Sequence, residues 1–195
     1  MAKDYSEDQL IQRSTAELLE GELGWKSVYA FDQETLGANG TLGRNSYHEV
    51  LLTRHLGQAL KRLNPWLTDK QLQECMERMT EHISSQTLMQ IKKQKLQLIR
   101  DGIPVTRIKS NGETEEVRAK VIDFASPDKN EFLCVRELQV HGALYRRRAD
   151  IVGYVNGIPL LFMELKNHDV EVVDAFNKNY RDYLDTIPQL FYHNA

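Results

Sequence analysis

Hydrophobic and polar residues change their spacing about halfway along the chain. Up to residue 102, apolar side chains recur at three- and four-residue intervals, which is the period of helices with one buried face. This pattern predicts helices over residues 6–20, 46–63, 68–83 and 86–100, with a short strand over 28–31. From residue 103 the apolar residues alternate with polar ones or run together, which predicts strands over 105–108, 117–124, 132–140, 149–155 and 159–166.

The predicted helix ends carry local signals. Ser6, Ser46 and Thr68 are each followed three residues later by Gln or Glu, which is the spacing of a capping box. Asn64-Pro65 and Gly102 mark the ends of two helices, because proline cannot continue a helix and glycine readily leaves it.

This order of elements predicts an α/β fold. A chain of 195 residues is long enough for one sizeable core, so we expect a single domain over 1–195. Residues 1–102 would be its mostly helical part, and residues 103–195 would form a mixed central sheet with helices on both sides. Residues 169–184 are predicted to be a helix, and 187–192 a strand parallel to 159–166.

A hairpin around Asn156-Gly157 is the central feature of the predicted sheet, since this dipeptide is typical of tight turns between strands. A two-residue turn would place Asp150 opposite Met163. A three-residue loop over 156–158, with the glycine in the left-handed conformation, would place Asp150 opposite Glu164. We therefore predict a bulged hairpin with the longer loop, which brings Asp150 together with Glu164 and Lys166.

Two carboxylates and an ammonium group at the rim of a buried sheet have two interpretations. In the first, Glu164 pairs with Lys166, and Asp150 is solvated at the end of a strand. In the second, the carboxylates hold Mg²⁺, a hard cation that takes one or two carboxylate oxygens and keeps several waters. Lys166 would then place or stabilise the attacking hydroxide. The residue types alone favour the first interpretation.

Asp150 followed by Glu164-x-Lys166 across a hairpin resembles the PD-(D/E)xK nuclease motif, with Ala149 where that family often has proline. The surrounding sequence is more specific. It resembles the N-terminal nuclease region of the R (HsdR, motor) subunit of type I restriction enzymes. The matching segments are Arg-x-Asp-Ile-Val, Val-Asn-Gly-Ile-Pro-Leu, Glu-Leu-Lys-Asn, Ile187-Pro188-Gln189-Leu190-Phe191 and, upstream, Gly43-Arg44, Leu63-Asn64-Pro65 and Gly102-Ile103-Pro104-Val105. The resemblance covers nearly the whole chain and favours the second interpretation.

The resemblance implies a restriction-endonuclease-like fold and Mg²⁺-dependent hydrolysis of foreign, unmethylated double-stranded DNA. Asp150 and Glu164 would hold the metal with the backbone carbonyl of Leu165, and Lys166 would complete the catalytic set. In the family, separate specificity and methyltransferase subunits recognise and modify the target, and cutting follows ATP-driven translocation. The ATP-dependent domains are missing here. We therefore expect an N-terminal fragment of a cytoplasmic motor subunit, weak or inactive when isolated.

Three further residues are candidates for this site. Glu49 either caps a helix with Ser46 or supplies an additional acidic residue from the first core helix, as in related nucleases, and the two roles are compatible. Asn179 and Tyr183 lie four residues apart on one face of a predicted helix. They resemble a Gln-x-x-x-Tyr pair of related nucleases, with asparagine in place of glutamine, or they simply cap the sheet edge.

Charge limits where DNA could bind. A net charge of −3 gives no general attraction to DNA, so a DNA-binding surface would have to be a local patch. Arg146, Arg147 and Arg148 lead directly into Asp150. They either pair with nearby acidic residues or grip phosphates at the mouth of the site, and we expect at least one of them to contact DNA.

Other classes of function receive little support. Cys75 and Cys134 are too far apart in sequence for metal-ligand spacing and are expected to be reduced thiols. No apolar run is long enough to cross a membrane, and the phosphate-binding motif GxxxxGK[ST] is absent. The alternative function is a non-catalytic module that docks the motor onto DNA or onto the methyltransferase core. An intact set of Asp150, Glu164 and Lys166 argues against it, because docking requires none of the three.

Overall fold

The candidate site belongs to the larger of the two sheets that the described residues form. The computed structural model describes residues 7–31, 33–81, 85–165, 173 and 175–194. Its strands are, in chain order, β1 (Lys26–Tyr29), β2 (Ile103–Ile108), β3 (Thr114–Ala119), β4 (Phe132–His141), β5 (Arg146–Val155) and β6 (Ile158–Met163). The larger sheet has the order β1-β4-β5-β6, and β2 pairs with β3 separately. Strand β1 runs parallel to β4 and the other pairs are antiparallel, so the sheet is mixed, as predicted.

The helices lie mostly in the first half of the chain. They are α1 (Glu7–Leu23), α2 (Thr53–Leu63), α3 (Asp69–Thr80), α4 (Leu88–Asp101) and the short α5 (Arg181–Thr186). A π-helical segment, Ala175–Tyr180, leads directly into α5, and 3-10 helices cover Pro127–Lys129 and Pro188–Phe191. None of the helices in the described residues combines the length and the apolar character that crossing a membrane requires.

Capping chemistry sets the boundaries of α3 and α4. Thr68 accepts a hydrogen bond from the Gln71 N–H, and the Gln71 side chain binds back to the Thr68 N–H, which confirms the predicted capping box. Thr87 and Gln90 form a second such box before α4. That helix ends at Gly102 with φ of +83°, a conformation that favours glycine, as predicted.

The helix predicted over 46–63 begins only at Thr53, so this prediction was wrong for residues 46–52. Val50, Leu51 and Leu52 are all buried, whereas three successive helical residues would point in directions about 100° apart. Val50 and Leu52 pack into the core against the large sheet, while Leu51 packs among α2–α4. The Leu52 N–H donates to the Gly157 carbonyl at 2.9 Å, so this segment binds the hairpin turn instead of continuing a helix.

The strand predicted over 187–192 was also wrong, because these residues form the 3-10 helix Pro188–Phe191 and its flanks. Ile187, Leu190 and Phe191 are buried, a spacing that places them on one side of a helical turn and not on one face of a strand. Pro188 occupies the start of the 3-10 helix, where its missing N–H costs least.

The strand predicted over 117–124 lies further upstream, as β3. Residues 120–124 leave the sheet because the Asp123 carboxylate accepts hydrogen bonds from the Ala125 and Ser126 N–H groups, both at 3.1 Å. A side chain that captures the following backbone amides competes with strand pairing and forms a turn.

Apolar side chains cover both faces of the large sheet, which confirms the predicted α/β arrangement. On one face, Val135, Val152 and Tyr154 pack against the C-terminal segment through Leu190 and Phe191. On the other face, α1 packs onto the sheet. Its contacts join Ala16 and Leu19 to Cys134 and Ile151. A further core cluster joins α2, α3 and α4 to the β2–β3 pair.

Candidate functional site

The β5–β6 hairpin has the expected register, but its extra residue lies in strand β6 and not in the turn. Val155 pairs with Ile158 across a two-residue turn, so the predicted three-residue loop was wrong. The extra residue is Leu160, because Tyr154 pairs with Pro159 and Gly153 pairs with Leu161. Beyond this bulge the register continues to Ile151 and Met163. One position further, Asp150 lies opposite Glu164, as the sequence predicted.

Asn156 and Gly157 adopt the tight turn because both tolerate the left-handed region, with φ of +52° and +80°. A Cβ atom at Gly157 would lie 2.5 Å from the Leu52 carbonyl oxygen, so only glycine fits. Asn156 is fully buried, and its side chain donates to the Val121 carbonyl and accepts from the Glu131 N–H, both at 2.9 Å. The turn is therefore fixed by hydrogen bonds to Leu52, Val121 and Glu131.

The two carboxylates of the candidate site each accept a hydrogen bond that orients them. Asp150 Oδ2 accepts from the Leu165 N–H at 2.7 Å, and Glu164 Oε1 accepts from the Asn179 amide at 3.0 Å. The Leu165 bond ties the end of β6 to Asp150, so the two acidic residues are fixed beside each other. Lys166 lies outside the described residues.

Tyr183 supports the same site from α5. Its hydroxyl donates to the Arg148 carbonyl at 2.7 Å and interacts with the Glu164 carboxylate. Burial raises the pKa of the Tyr183 hydroxyl, and the negative charges of Glu164 and Asp150 raise it further. Tyr183 consequently stays protonated and acts as a hydrogen-bond donor.

Asn179 and Tyr183, the accessory pair proposed from sequence, are thus brought together with Glu164, and their part in a reaction stays a prediction. Asn179 belongs to the π-helical segment and Tyr183 to α5. Glu49 is not in the predicted helix, so its capping role there was wrong. Its carboxylate accepts from the Asn45 N–H at 3.1 Å, and its place in the site also stays a prediction.

The chemistry of the two carboxylates fits Mg²⁺. Their oxygens are hard ligands, and Mg²⁺ typically takes one or two carboxylates and fills its shell with water and substrate phosphate. Among the described residues, no group of three or more His, Cys, Asp or Glu side chains could hold a metal ion. The oxygen ligands of these two carboxylates suit Mg²⁺, whereas Zn²⁺ in proteins is mostly bound by nitrogen and sulfur. The proposed ligand role of the Leu165 carbonyl stays a prediction.

The three candidate DNA-binding arginines have different surroundings. Arg147 is clamped by Asp182 of α5 through two hydrogen bonds of 2.6 and 2.8 Å. Arg148 pairs through its Nε with Glu137 of β4. Arg146 is exposed at the start of β5. Pairing with nearby acids, one of the two interpretations made from sequence, is therefore observed for Arg147 and Arg148.

Glu137 is a residue at the site that sequence reasoning missed. It lies directly across from Asp150, between the register pairs Arg136–Ile151 and Leu138–Ala149. It is buried, with 6% of its surface exposed, and its φ of +58° is in the left-handed region, unusual for a non-glycine residue in a strand. The adjacent charged residues Arg136 and Glu137 inside an otherwise largely apolar strand were the available signal.

Comparisons with known proteins identify the family of the chain. Residues 4–194 match the family described as type I restriction enzyme R protein N terminus. The chain is 28% identical over 194 residues to the type I restriction enzyme HindI endonuclease subunit of Haemophilus influenzae, covering 94% of this chain and 17% of that protein. It is 27% identical over 173 residues to the SauMSSORF170P endonuclease subunit of Staphylococcus aureus, covering 82% of this chain and 17% of that protein.

An archaeal relative is similar as well. The chain is 31% identical over 153 residues to an endonuclease subunit of Methanocaldococcus jannaschii assigned to type I restriction enzyme MjaIXP, covering 76% of this chain and 14% of that protein. The chain thus spans only 14% to 17% of the length of these relatives.

Proposed function

Because the chain belongs to the family of type I restriction enzyme R protein N termini, we propose that it is the Mg²⁺-dependent DNA endonuclease domain of such an enzyme. The observation that carries this proposal is the hairpin register that sets Asp150 opposite Glu164. Two oriented carboxylates at the rim of a covered sheet are what a hard metal ion needs, whereas a module that only docks needs neither.

The residues of this chain would have distinct tasks in phosphodiester hydrolysis. Asp150 and Glu164 hold Mg²⁺, which when bound polarises a phosphate oxygen and lowers the pKa of a coordinated water. The Leu165 N–H and the Asn179 amide fix the orientation of the two carboxylates, so little reorganisation is required when the metal and DNA arrive. Lys166, three positions past the end of β6, would position the attacking water.

The proposal extends to the activity of the whole protein. The relatives are named as endonuclease subunits of type I restriction enzymes, and we propose that this chain acts with methyltransferase and specificity subunits on foreign, unmethylated double-stranded DNA. ATP-driven translocation by other domains would bring the DNA to this site. The isolated chain would then bind DNA weakly and cut poorly, because recognition and translocation reside elsewhere.

Cleavage by the assembled enzyme tests the proposal. In a complex whose motor subunit carries this chain, Asp150→Ala and Glu164→Gln should abolish conversion of circular plasmid to linear DNA while ATP hydrolysis continues. Asp128→Ala, which replaces an exposed aspartate of the 3-10 helix Pro127–Lys129, is the matched control and should cut like the wild type. Full cleavage by the Asp150→Ala enzyme would overturn the proposal and favour the non-catalytic docking module.

A further inference from the structure

Three acidic residues lie side by side across the sheet at the level of the candidate site. Glu137 of β4 is opposite Asp150 of β5, and the β5–β6 register continued by one position brings Asp150 opposite Glu164, which directly follows the end of β6. Among the described residues, no group of three or more His, Cys, Asp or Glu side chains could hold a metal ion, and Glu137 has a different partner. Its buried carboxylate instead contacts Arg148.

Arg148 is held close to Asp150 in the sheet. The two residues are two positions apart in β5, and Glu137, the partner of Arg148, lies across from Asp150 in β4. The direct partner of Arg148 across the sheet is Gln139, which makes Glu137 its diagonal neighbour, within reach of a long side chain. The Arg148 guanidinium also lies 4.6 Å from the centre of the Phe31 ring.

These contacts fix the guanidinium without covering it. Glu137 binds the Arg148 Nε, and 52% of the arginine side chain remains exposed, whereas only 8% of the Glu137 side chain does. Arg147 differs, because Asp182 of α5 binds both its Nε and one terminal nitrogen. Arg148 is thus the arginine of this strand that is held by a buried acidic partner while about half of its side chain stays exposed.

The backbone at Glu137 supports a positioning role. A glutamate at φ of +58° is strained relative to ordinary strand geometry. Such conformations persist where the surrounding structure enforces them, and they are frequent at functional sites. Here the unusual conformation coincides with the residue that lies across from Asp150 and binds Arg148.

We propose that Arg148 contacts a DNA phosphate beside the scissile bond and that Glu137 and Phe31 are the positioning residues that hold it there. This inference rests on the proposed nuclease function and adds the residue that aligns the DNA. A guanidinium is suited to this task because its planar fork matches two phosphate oxygens. Prior fixation by Glu137 reduces the side-chain entropy lost on binding.

Equilibrium binding of the chain to a short fluorescent DNA duplex, followed by anisotropy over a series of salt concentrations without Mg²⁺, tests this inference. Arg148→Ala should weaken binding about tenfold and reduce the salt slope by about one, as expected for one lost phosphate contact. Arg147→Ala is the matched control, with the same substitution one position away, and should change affinity less than about twofold.

Glu137→Ala should weaken binding in the wild-type background and have no further effect in the Arg148→Ala background. Glu137→Gln, whose amide oxygen can still accept from the arginine Nε, should restore most of the affinity. Thermal melting identifies variants that do not fold. If Glu137→Ala is one of them, Phe31→Leu, which removes the ring beside the Arg148 guanidinium, carries the test and should weaken binding only when Arg148 is present.

Several outcomes would overturn the inference. They are equal losses for Arg147→Ala and Arg148→Ala, a Glu137→Ala effect that is the same with and without Arg148, stronger binding by Glu137→Ala, or no duplex binding by the wild-type chain. The proposed nuclease function fails by a different result, because it depends on loss of cleavage in Asp150→Ala and not on DNA affinity without metal.

Discussion

The buried turn residue Asn156 offers the sharpest stability prediction. Its side chain makes four hydrogen bonds, to the Val121 carbonyl, the Asn130 side chain, the Glu131 N–H and the Arg62 guanidinium, at 2.8–3.1 Å. Removing them should cost about 3 kcal/mol, at roughly 1 kcal/mol per buried bond with some relaxation. Alanine adds about 1 kcal/mol of strain because φ at this position is +52°. Asn156→Gly should therefore lose about 3 kcal/mol, and Asn156→Ala about 4 kcal/mol.

Urea denaturation followed by circular dichroism measures these differences. Asn111 is the matched control, since it occupies the exposed turn between β2 and β3 and its side-chain partner within the described part of the chain is the neighbouring Glu113. Asn111→Ala should cost less than about 1 kcal/mol, because its partners remain solvated. If Asn156→Ala were no more destabilising than Asn111→Ala, the hydrogen bonds of the buried turn would not fix the hairpin.

Three further predictions follow from buried polar groups. Burial lowers the pKa of His193 to about 4, so its stabilising contribution is complete above its ordinary pKa near 6.5 and is lost as pH falls through 4. Unfolding free energy measured against pH should drop by about 3 kcal/mol over that range, and His193→Gln should remove this drop. Asn179→Ala should weaken Mg²⁺ affinity about tenfold in calorimetry, because Glu164 loses the donor that orients it, and an unchanged affinity would exclude this role. Arg44→Ala should destabilise the fold by about 3–5 kcal/mol, since the Glu34 carboxylate, 2% exposed, would stay buried without its cation, and a loss below 1 kcal/mol in denaturation would contradict this.

Local signals gave the most reliable predictions from sequence. The capping box of Thr68 with Gln71, the glycine end of α4 at Gly102 and the Asn156-Gly157 turn each depend on a few neighbouring residues. Such features are encoded where they occur, so a single sequence reveals them.

The position of the extra residue in the hairpin could not be predicted from the sequence. The run Leu160-Leu161-Phe162-Met163 is apolar throughout, so alternation gives no sign of an extra residue. The bulge at Leu160 follows from packing, because Leu160 contacts the α2–α4 core while Phe162 contacts the core on the sheet face. The prediction placed the extra residue in the loop and still obtained the correct pairing of Asp150 with Glu164.

Long-range contacts explain the remaining differences. Residues 46–52 match a helical pattern, yet Leu52 binds the carbonyl of Gly157, more than a hundred positions away. The contacts of Glu137 likewise depend on the neighbouring strand β5, which brings Arg148 and Asp150 beside it. A single sequence does not reveal such long-range pairings. Where they form, they override the local preference for helix or strand.

Calorimetric titration of Mg²⁺ into the chain shows whether Asp150 and Glu164 form one metal site. We expect binding at a single site by the wild type, no binding by Asp150→Ala, and wild-type binding by the control Asp128→Ala. Lys166→Ala should retain the metal, because its proposed task concerns the attacking water. Equal binding by Asp150→Ala and the wild type, or no binding by the wild type, would mean that these carboxylates do not form a metal site.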